Sequence, residues 1–199
     1  MRQRESKTEF YTRKAKEEGY PARSVYKLKE IDEKFEIIKA GDKVLDLGAA
    51  PGSWLKYLSE KTGVSGKVLG VDTEDAKIEL PANAKFLKKD VFAFTEDDFK
   101  ELKKFHVVVS DLAPKTSGVK FADAAKSLEL CEKALEIAQK VLTPGGNFVC
   151  KVFESEKTKD FFKKIEENFK SAKRLKPQAS RKESREIFFI GKSFIKQNA

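Results

Sequence analysis

Histidine, methionine and tryptophan occur once each in this 199-residue chain, and cysteine twice. Cys131 and Cys150 lie far apart without histidine companions, so neither a zinc pattern nor a disulfide framework is available, and no metal site is expected. His106 stands at the entrance of an apolar run and reads as structural, which excludes a mechanism built on a histidine base. No apolar stretch approaches the roughly 20 residues needed to cross a bilayer. The charged start, Met1-Arg2-Gln3-Arg4-Glu5-Ser6-Lys7, lacks the apolar core of a signal peptide. These absences point to a cytoplasmic protein. Internal repeats and low-complexity segments are also missing, and the length suits one domain spanning residues 1–199.

Charge, in contrast, is abundant. Lys+Arg 41 against Asp+Glu 32 gives a net charge of +9 and a pI near 9.3, a balance that favours a polyanionic partner. Residues 1–22 form a basic N-terminal arm in which Arg2, Arg4, Lys7, Arg13, Lys14 and Lys16 alternate with Phe10, Tyr11 and Tyr20. Such a mixture suits phosphates and stacked bases. A solvated arm whose aromatics dock on the body is the other reading.

The chain is organised around Val44-Leu45-Asp46-Leu47-Gly48-Ala49-Ala50-Pro51-Gly52-Ser53-Trp54. A short apolar run meets small residues and then a helical pattern, which spells a buried strand, a tight turn and a helix start. Gly48 and Gly52 allow close approach of backbone to a ligand. The spacing is not that of a dinucleotide fingerprint, and no Gly-Lys-Ser/Thr ending marks a polyphosphate loop. A nucleoside-bearing sulfonium, S-adenosylmethionine, fits better. Its ribose wants an acid at the end of the next strand, and Asp72 closes the run Lys67–Asp72, 20 residues after Gly52, the offset at which doubly wound folds place a ribose-binding carboxylate.

Further along, the periodicity predicts a leading helix over 23–36 with Val25, Leu28, Ile31 and Phe35 on its apolar stripe and Lys27 off it. The sheet and helices of the catalytic part are expected over 43–191. Asp90 follows the strand Lys85-Phe86-Leu87 and reads either as an acceptor for an adenine amino group or as a solvated loop acid. Asp111 closes the strand His106–Val109 at the carboxyl end, where open α/β sheets place ligands. A long helix from about Ala122 to Leu142 ends at Pro144-Gly145-Gly146 and leads into a strand, Asn147–Phe153. Lys151 sits in the middle of that apolar run, although lysine is almost never buried without a partner, and Asp111 is the natural one. Strand alternation sends Cys150 to the opposite face. After a helix over Thr158–Phe169, the loop Ser180–Glu186 is a phosphate contact or a solvated turn, and a last strand covers Ile187–Gly191.

Arg23-Ser24-x-Tyr26-Lys27-Leu28 with Glu30-Ile31-Asp32, Asp46-Leu47-Gly48-Ala49-Ala50-Pro51-Gly52-x-Trp54, Ser110-Asp111-x-Ala113-Pro114, Lys151-Val152-Phe153 and Ser184-Arg185-Glu186 occur in this order. Together they resemble the FtsJ-like family of ribosomal RNA 2'-O-methyltransferases from about Gly19 to Gly191. The resemblance implies an α/β, Rossmann-like S-adenosylmethionine-dependent methyltransferase fold with a seven-stranded, mostly parallel sheet and helices on both faces. It implies a catalytic group of Lys27, Asp111, Lys151 and Glu186, with Glu183 as a nearby second acid. Cofactor contacts are expected at Gly48, Gly52, Trp54, Asp72, Asp90 and Asp111. Ser53 departs from the family's usual second glycine before the tryptophan.

Methyl transfer from a sulfonium is an in-line displacement in which orientation supplies much of the acceleration. A base must take the proton of the ribose hydroxyl. Lys151 can do so if burial and the neighbouring cation Lys27 favour its neutral form; Asp111 and Glu186 oppose this, which leaves orientation of the hydroxyl as the other role. The expected partner is RNA, a uridine of large-subunit ribosomal RNA first, with transfer RNA as the alternative substrate. The protein is expected to act as a monomer. A noncatalytic RNA-binding ribosome assembly factor is the rival from another class.

Overall fold

The computed structural model describes residues 6–195 except Lys103 and Lys182. Arg2 and Arg4 of the arm and Lys182 of the basic loop therefore lie outside the described residues. The rest of the arm contains a helix, α1 (Lys7–Glu17), which starts at a capping box: Ser6 accepts from the Glu9 N–H while the Glu9 carboxylate accepts from the Ser6 N–H. Periodicity does not reveal α1 because Ala15 is its one buried position. Two of the arm's aromatic residues dock, Tyr20 with Ala15 against Val25, Tyr26 and Ala179, and Tyr11 at the edge of that cluster, whereas Phe10 is exposed.

α2 (Val25–Phe35) begins and ends with its apolar stripe, just inside the predicted 23–36, and buries Val25, Leu28 and Ile31. β1 (Lys43–Leu47), α3 (Ser53–Thr62), β2 (Lys67–Asp72) and β3 (Ala84–Lys88) follow, then a three-residue 3-10 turn (Val91–Ala93), α4 (Glu96–Glu101) and β4 (Phe105–Ser110). α5 (Lys120–Val141) runs straight into β5 (Leu142–Phe153). Pro144-Gly145-Gly146 thus fall inside β5 instead of separating helix from strand, and the pairing with β4 shifts register between Phe105 and Val107 to absorb them. The chain finishes with α6 (Thr158–Asn168), β6 (Phe169–Leu175) and β7 (Glu186–Phe194).

The seven strands form one sheet in the order β3-β2-β1-β4-β5-β7-β6. The first five are mutually parallel, and β7 runs antiparallel to both β5 and β6. The sequence pattern gives no sign of β6, since Lys170, Lys173 and Arg174 interrupt its alternation. It is an edge strand, where exposed cations discourage pairing with another chain. One face of the sheet packs on Leu28 and Ile31 of α2 and on Trp54, Leu55 and Leu58 of α3. The other packs on Cys131, Leu135 and Ala138 of α5 and on Phe161 and Ile165 of α6. Chain direction across the sheet reverses between β1 and β4, so the crevice outside the carboxyl ends of those two strands is the favoured ligand position. Among the described residues, no helix is long and apolar enough to cross a membrane.

Candidate active site

After β1 the chain turns at the switch point. Gly48 (φ +84) and Gly52 (φ +112) take left-handed backbone, which a Cβ disfavours. Space excludes a side chain too: a Cβ on Gly48 would lie 2.8 Å from the Leu112 nitrogen, and one on Gly52 2.8 Å from the side chain of Ile78. The loop is held from beneath, with the N–H groups of Gly48 and Ala49 donating to the Val71 carbonyl at 2.9 and 3.2 Å. Ala50 N–H donates to Asp72 Oδ2 at 2.9 Å. The first turn of α3 then offers backbone N–H groups at the same end of the sheet.

Trp54, in that first turn, has its side chain committed elsewhere. The residue is 3% exposed, and its indole Nε1–H donates to the Ser24 carbonyl at 2.9 Å, anchoring the entry to α2. What Trp54 can present to a ligand is its main-chain N–H. Asp72 uses Oδ1 to accept from Glu74 N–H at 3.0 Å and Oδ2 for Ala50; with about four lone-pair sites, the carboxylate retains capacity for hydroxyl donors. Asp90 caps the 3-10 turn by accepting from Phe92 N–H at 2.9 Å.

Asp46 is fully buried in β1, and neither carboxylate oxygen finds a hydrogen-bond partner among the described residues. Burial first, then the charges of Asp111 and Asp72, push its carboxyl well above the ordinary range. Three acids at the ends of neighbouring strands suit a ligand that brings positive charge. A raised value means that the fold binds this proton more tightly than the unfolded chain does. Stability is therefore lost as pH rises from the ordinary carboxyl value of about 3.9 towards the raised one. Asp46→Asn should remove that loss, so in thermal melts the Tm of the parent protein should fall relative to the variant as pH increases. Parallel Tm profiles would contradict it.

Lys151 of β5 is 5% exposed and grips Asp111 twice, with Nζ 2.7 Å from the main-chain carbonyl and 2.8 Å from Oδ1. Asp111 is itself fixed by its N–H, which donates to the Leu47 carbonyl at 3.0 Å. From α2, Lys27 pairs with Glu186 Oε1 at 2.7 Å, the two side chains being only 11% and 10% exposed. Lys27 lies off the apolar stripe, as its spacing predicts, yet its side chain is largely covered where it pairs with Glu186 of the last strand. Glu186 stands opposite Phe153, and Lys151 opposite Phe188. Lys151 and Glu186 are thus diagonal neighbours on one sheet face, about 7–8 Å apart at the backbone. Asp111 follows Ser110, the partner of Cys150, which places it beside Lys151. The four residues come together as two ion pairs. Glu183 is exposed, so Glu186 is the acid that faces this cluster.

Sequence reasoning does not find Ser180, whose buried hydroxyl donates to Glu186 Oε1 at 2.9 Å. It does not find the work of Asp32 either: this buried acid accepts from Ile38 N–H at 3.0 Å and Tyr57 OH at 2.8 Å, clamping α2, and hence Lys27, against α3. Its place in a motif with Glu30 and Ile31 is the one signal available. Arg23 donates to the Ala179 carbonyl at 2.9 Å; burial and then the like charge of Arg181 lower its pKa, against the opposing pull of Glu186. Arg23 thus lies between a like charge, Arg181, and an opposite one, Glu186. Cys150 packs on the face away from Lys151, and burial raises its thiol pKa. His106 accepts from Lys43 N–H at 3.0 Å through Nδ1, a structural role. A cavity of about 780 Å³, lined by Lys43, Gly66, Lys67, Asn83 and Phe105, opens at the amino ends of the strands and is remote from this cluster.

Fold and site together define a Rossmann-like methyltransferase. The chain belongs to the FtsJ-like methyltransferase family, whose model matches residues 20–194; α1 lies outside the matched span. It is 47% identical over 184 residues to the ribosomal RNA large subunit methyltransferase E of Desulfatibacillum aliphaticivorans, covering 92% of this chain and 89% of that one. It is 46% identical over 189 residues to its namesake from Bdellovibrio bacteriovorus, with 93% and 96% covered. A ribosomal RNA methyltransferase from Plasmodium falciparum superposes with a TM-score of 0.77 at 26% identity, covering 88% of this chain and 98% of the other. A SAM-dependent O-methyltransferase from Thermotoga maritima, at 14% identity and a TM-score of 0.58 over 86% of this chain and 66% of that one, shares the fold alone.

Proposed function

We propose that the protein methylates a ribose 2'-hydroxyl of RNA with S-adenosylmethionine, and that the RNA is large-subunit ribosomal RNA, with a uridine as the target. The single observation behind this reading is the pairing of Lys151 with Asp111 and of Lys27 with Glu186 on one sheet face, at the carboxyl ends of the strands. The relatives' names supply the substrate class, and the net charge of +9 suits it. We read the protein as a cytoplasmic monomer.

The residues fit the cofactor. Gly48 and Gly52 keep the loop free of side chains where a ligand would approach, Asp72 suits ribose hydroxyls and Asp90 the adenine amino group. Asp111, beside the buried acid Asp46, suits the positively charged methionine end, and Gly52 and Trp54 offer main-chain N–H groups to its carboxylate. When bound, S-adenosylmethionine supplies the methyl group. The Lys151 amine donates to the Asp111 carbonyl at 2.7 Å and lies 2.8 Å from the Asp111 carboxylate; as a free base its lone pair is assigned to the 2'-hydroxyl. As a neutral amine, Lys151 holds that oxygen in line and takes its proton, becoming an ammonium, as the oxygen takes the methyl group from sulfur, while Asp111 keeps the amine from rotating. Lys27 and Glu186 neutralise one another and fence the nucleotide from the opposite side. Arg23 and Arg181 provide for the adjacent phosphates.

Nucleoside mass spectrometry on unmodified large ribosomal subunits and on transfer RNA, each incubated with labelled S-adenosylmethionine, tests the reading. A 2'-O-methylated nucleoside should appear on the subunits and not with Lys151→Ala. Product on transfer RNA alone would reassign the substrate, and no ribose product on either would remove the enzymatic reading in favour of an RNA-binding assembly factor.

A further inference from the structure

α5 turns one side to the sheet through Ala124, Leu128, Cys131, Leu135 and Ala138, all buried or half-buried. Steps of three and four residues carry the same side back to Phe121. There the sheet has run out. The Cys131 thiol meets the Lys151 carbonyl at 2.8 Å and the Ser127 hydroxyl accepts from Phe153 N–H at 3.0 Å, so the end of β5 lies level with residues 127–131. Phe121 is ten residues before Cys131, about 15 Å further along the helix axis, and overhangs the carboxyl edge at which the ion pairs lie. Phe121 is 77% exposed, with Val119 beside it in sequence 59% exposed.

The backbone beneath this ring is fixed. Asp123 accepts from the N–H and hydroxyl of Ser117, at 2.7 and 2.8 Å, and from Gly118 N–H at 3.2 Å. The Arg185 guanidinium donates to the Lys120 carbonyl at 2.8 Å, which ties the start of α5 to the residue preceding Glu186. Lys115, Lys120, Lys126 and Arg181 are exposed in the same loop and helix start or in the neighbouring basic loop. An uncovered aromatic ring with cations around it matches the two halves of a nucleotide, a π-face and a phosphate.

We propose that Phe121 is a stacking platform for a nucleobase of the substrate RNA, in the strand flanking the target nucleotide. The inference rests on the reading of the protein as an RNA 2'-O-methyltransferase. Since stacked bases are spaced by about 3.4 Å along a strand, the offset of about 15 Å assigns the ring to a flanking base and leaves the target to the ion pairs. Phe121 acts on substrate affinity and not on the chemical step.

The test compares the parent protein with Phe121→Ala, Phe121→Leu and Phe121→Trp on large ribosomal subunits, measuring KM for the subunit, kcat, and cofactor Kd by calorimetry. Phe121→Ala should raise KM about 5- to 150-fold, the range of one lost base–aromatic stack, with kcat and cofactor Kd unchanged. Phe121→Trp should match the parent or bind more tightly, and Phe121→Leu should behave like alanine. An unchanged KM for Phe121→Ala overturns the proposal, as does full retention by leucine, which would identify an apolar contact with a ribosomal protein. Should the parent protein itself form no 2'-O-methyl nucleoside, the reading of the reaction fails first and the proposal falls with it; parent activity combined with a silent Phe121→Ala overturns the stacking role alone.

Discussion

Lys151→Met should lower kcat for methyl transfer by about 10²- to 10⁴-fold, the usual contribution of a positioned acid–base group, while cofactor affinity is retained. Methionine keeps the unbranched stem that fills the space within β5 and removes the amine. Single-turnover rates with bound RNA measure the effect, and calorimetry with S-adenosylmethionine shows whether the crevice survives. Lys151→Arg separates the two roles open to the amine. A guanidinium keeps the charge and can pair with Asp111, but it cannot accept a proton in a protein. If Lys151 is the base, arginine should be nearly as slow as methionine; recovery to within about tenfold would show that a fixed charge suffices and that the proton leaves by another route.

Gly48→Ala should cost both cofactor binding and rate, each by at least about tenfold. A left-handed backbone with a side chain is penalised by about 1–2 kcal/mol, and the new methyl would press on the Leu112 nitrogen at 2.8 Å and the Asp111 carbonyl carbon at 3.1 Å. The segment carrying Asp111 has to move, and displacements near 1 Å are worth about 10²-fold in rate. Gly145→Ala supplies the control, because Gly145 has φ +83, against +84 at Gly48, with nothing within 4 Å of an added Cβ. It carries the same backbone penalty without the collision, so it should lose stability in denaturant titrations and keep its activity. Equal behaviour of the two variants would show that strain, and not contact with the Asp111 segment, is what Gly48 avoids.

The parallel core of the sheet is legible in the chain because its strands are short apolar runs closed by small or acidic residues: Leu47 before Gly48, Val71 before Asp72, Val109 before Ser110 and Asp111. Lys151 announces itself as a charge inside such a run, and its match with Asp111 follows from the order of those strands. α1 and β6 escape the same reading because each is partnered on one side only, and their patterns are dominated by exposed lysine and arginine. The meeting of Lys27 with Glu186 has no local signature: the residues come from the second helix and the last strand, and only the family resemblance names them together. Ser180 and the unpartnered burial of Asp46 are invisible for a related reason, since a hydrogen bond to Glu186 and the lack of one in β1 are both properties of tertiary packing.

The insertion of β7 between β5 and β6 sets a timetable for the molecule. Lys27 leaves the ribosome long before Glu186, and the same closure is made when the Gln178 N–H meets Glu30 across 148 residues of chain. Contacts so distant in sequence carry a loop-closure cost that has to be met before they return any stability, and they form late. A nascent chain can therefore shape the glycine loop and the parallel strands while its nucleotide site still lacks one wall. On the proposed reading, methyl transfer waits for β7, so a protein truncated before β7 should be inert in the nucleoside assay without being wholly unstructured by circular dichroism.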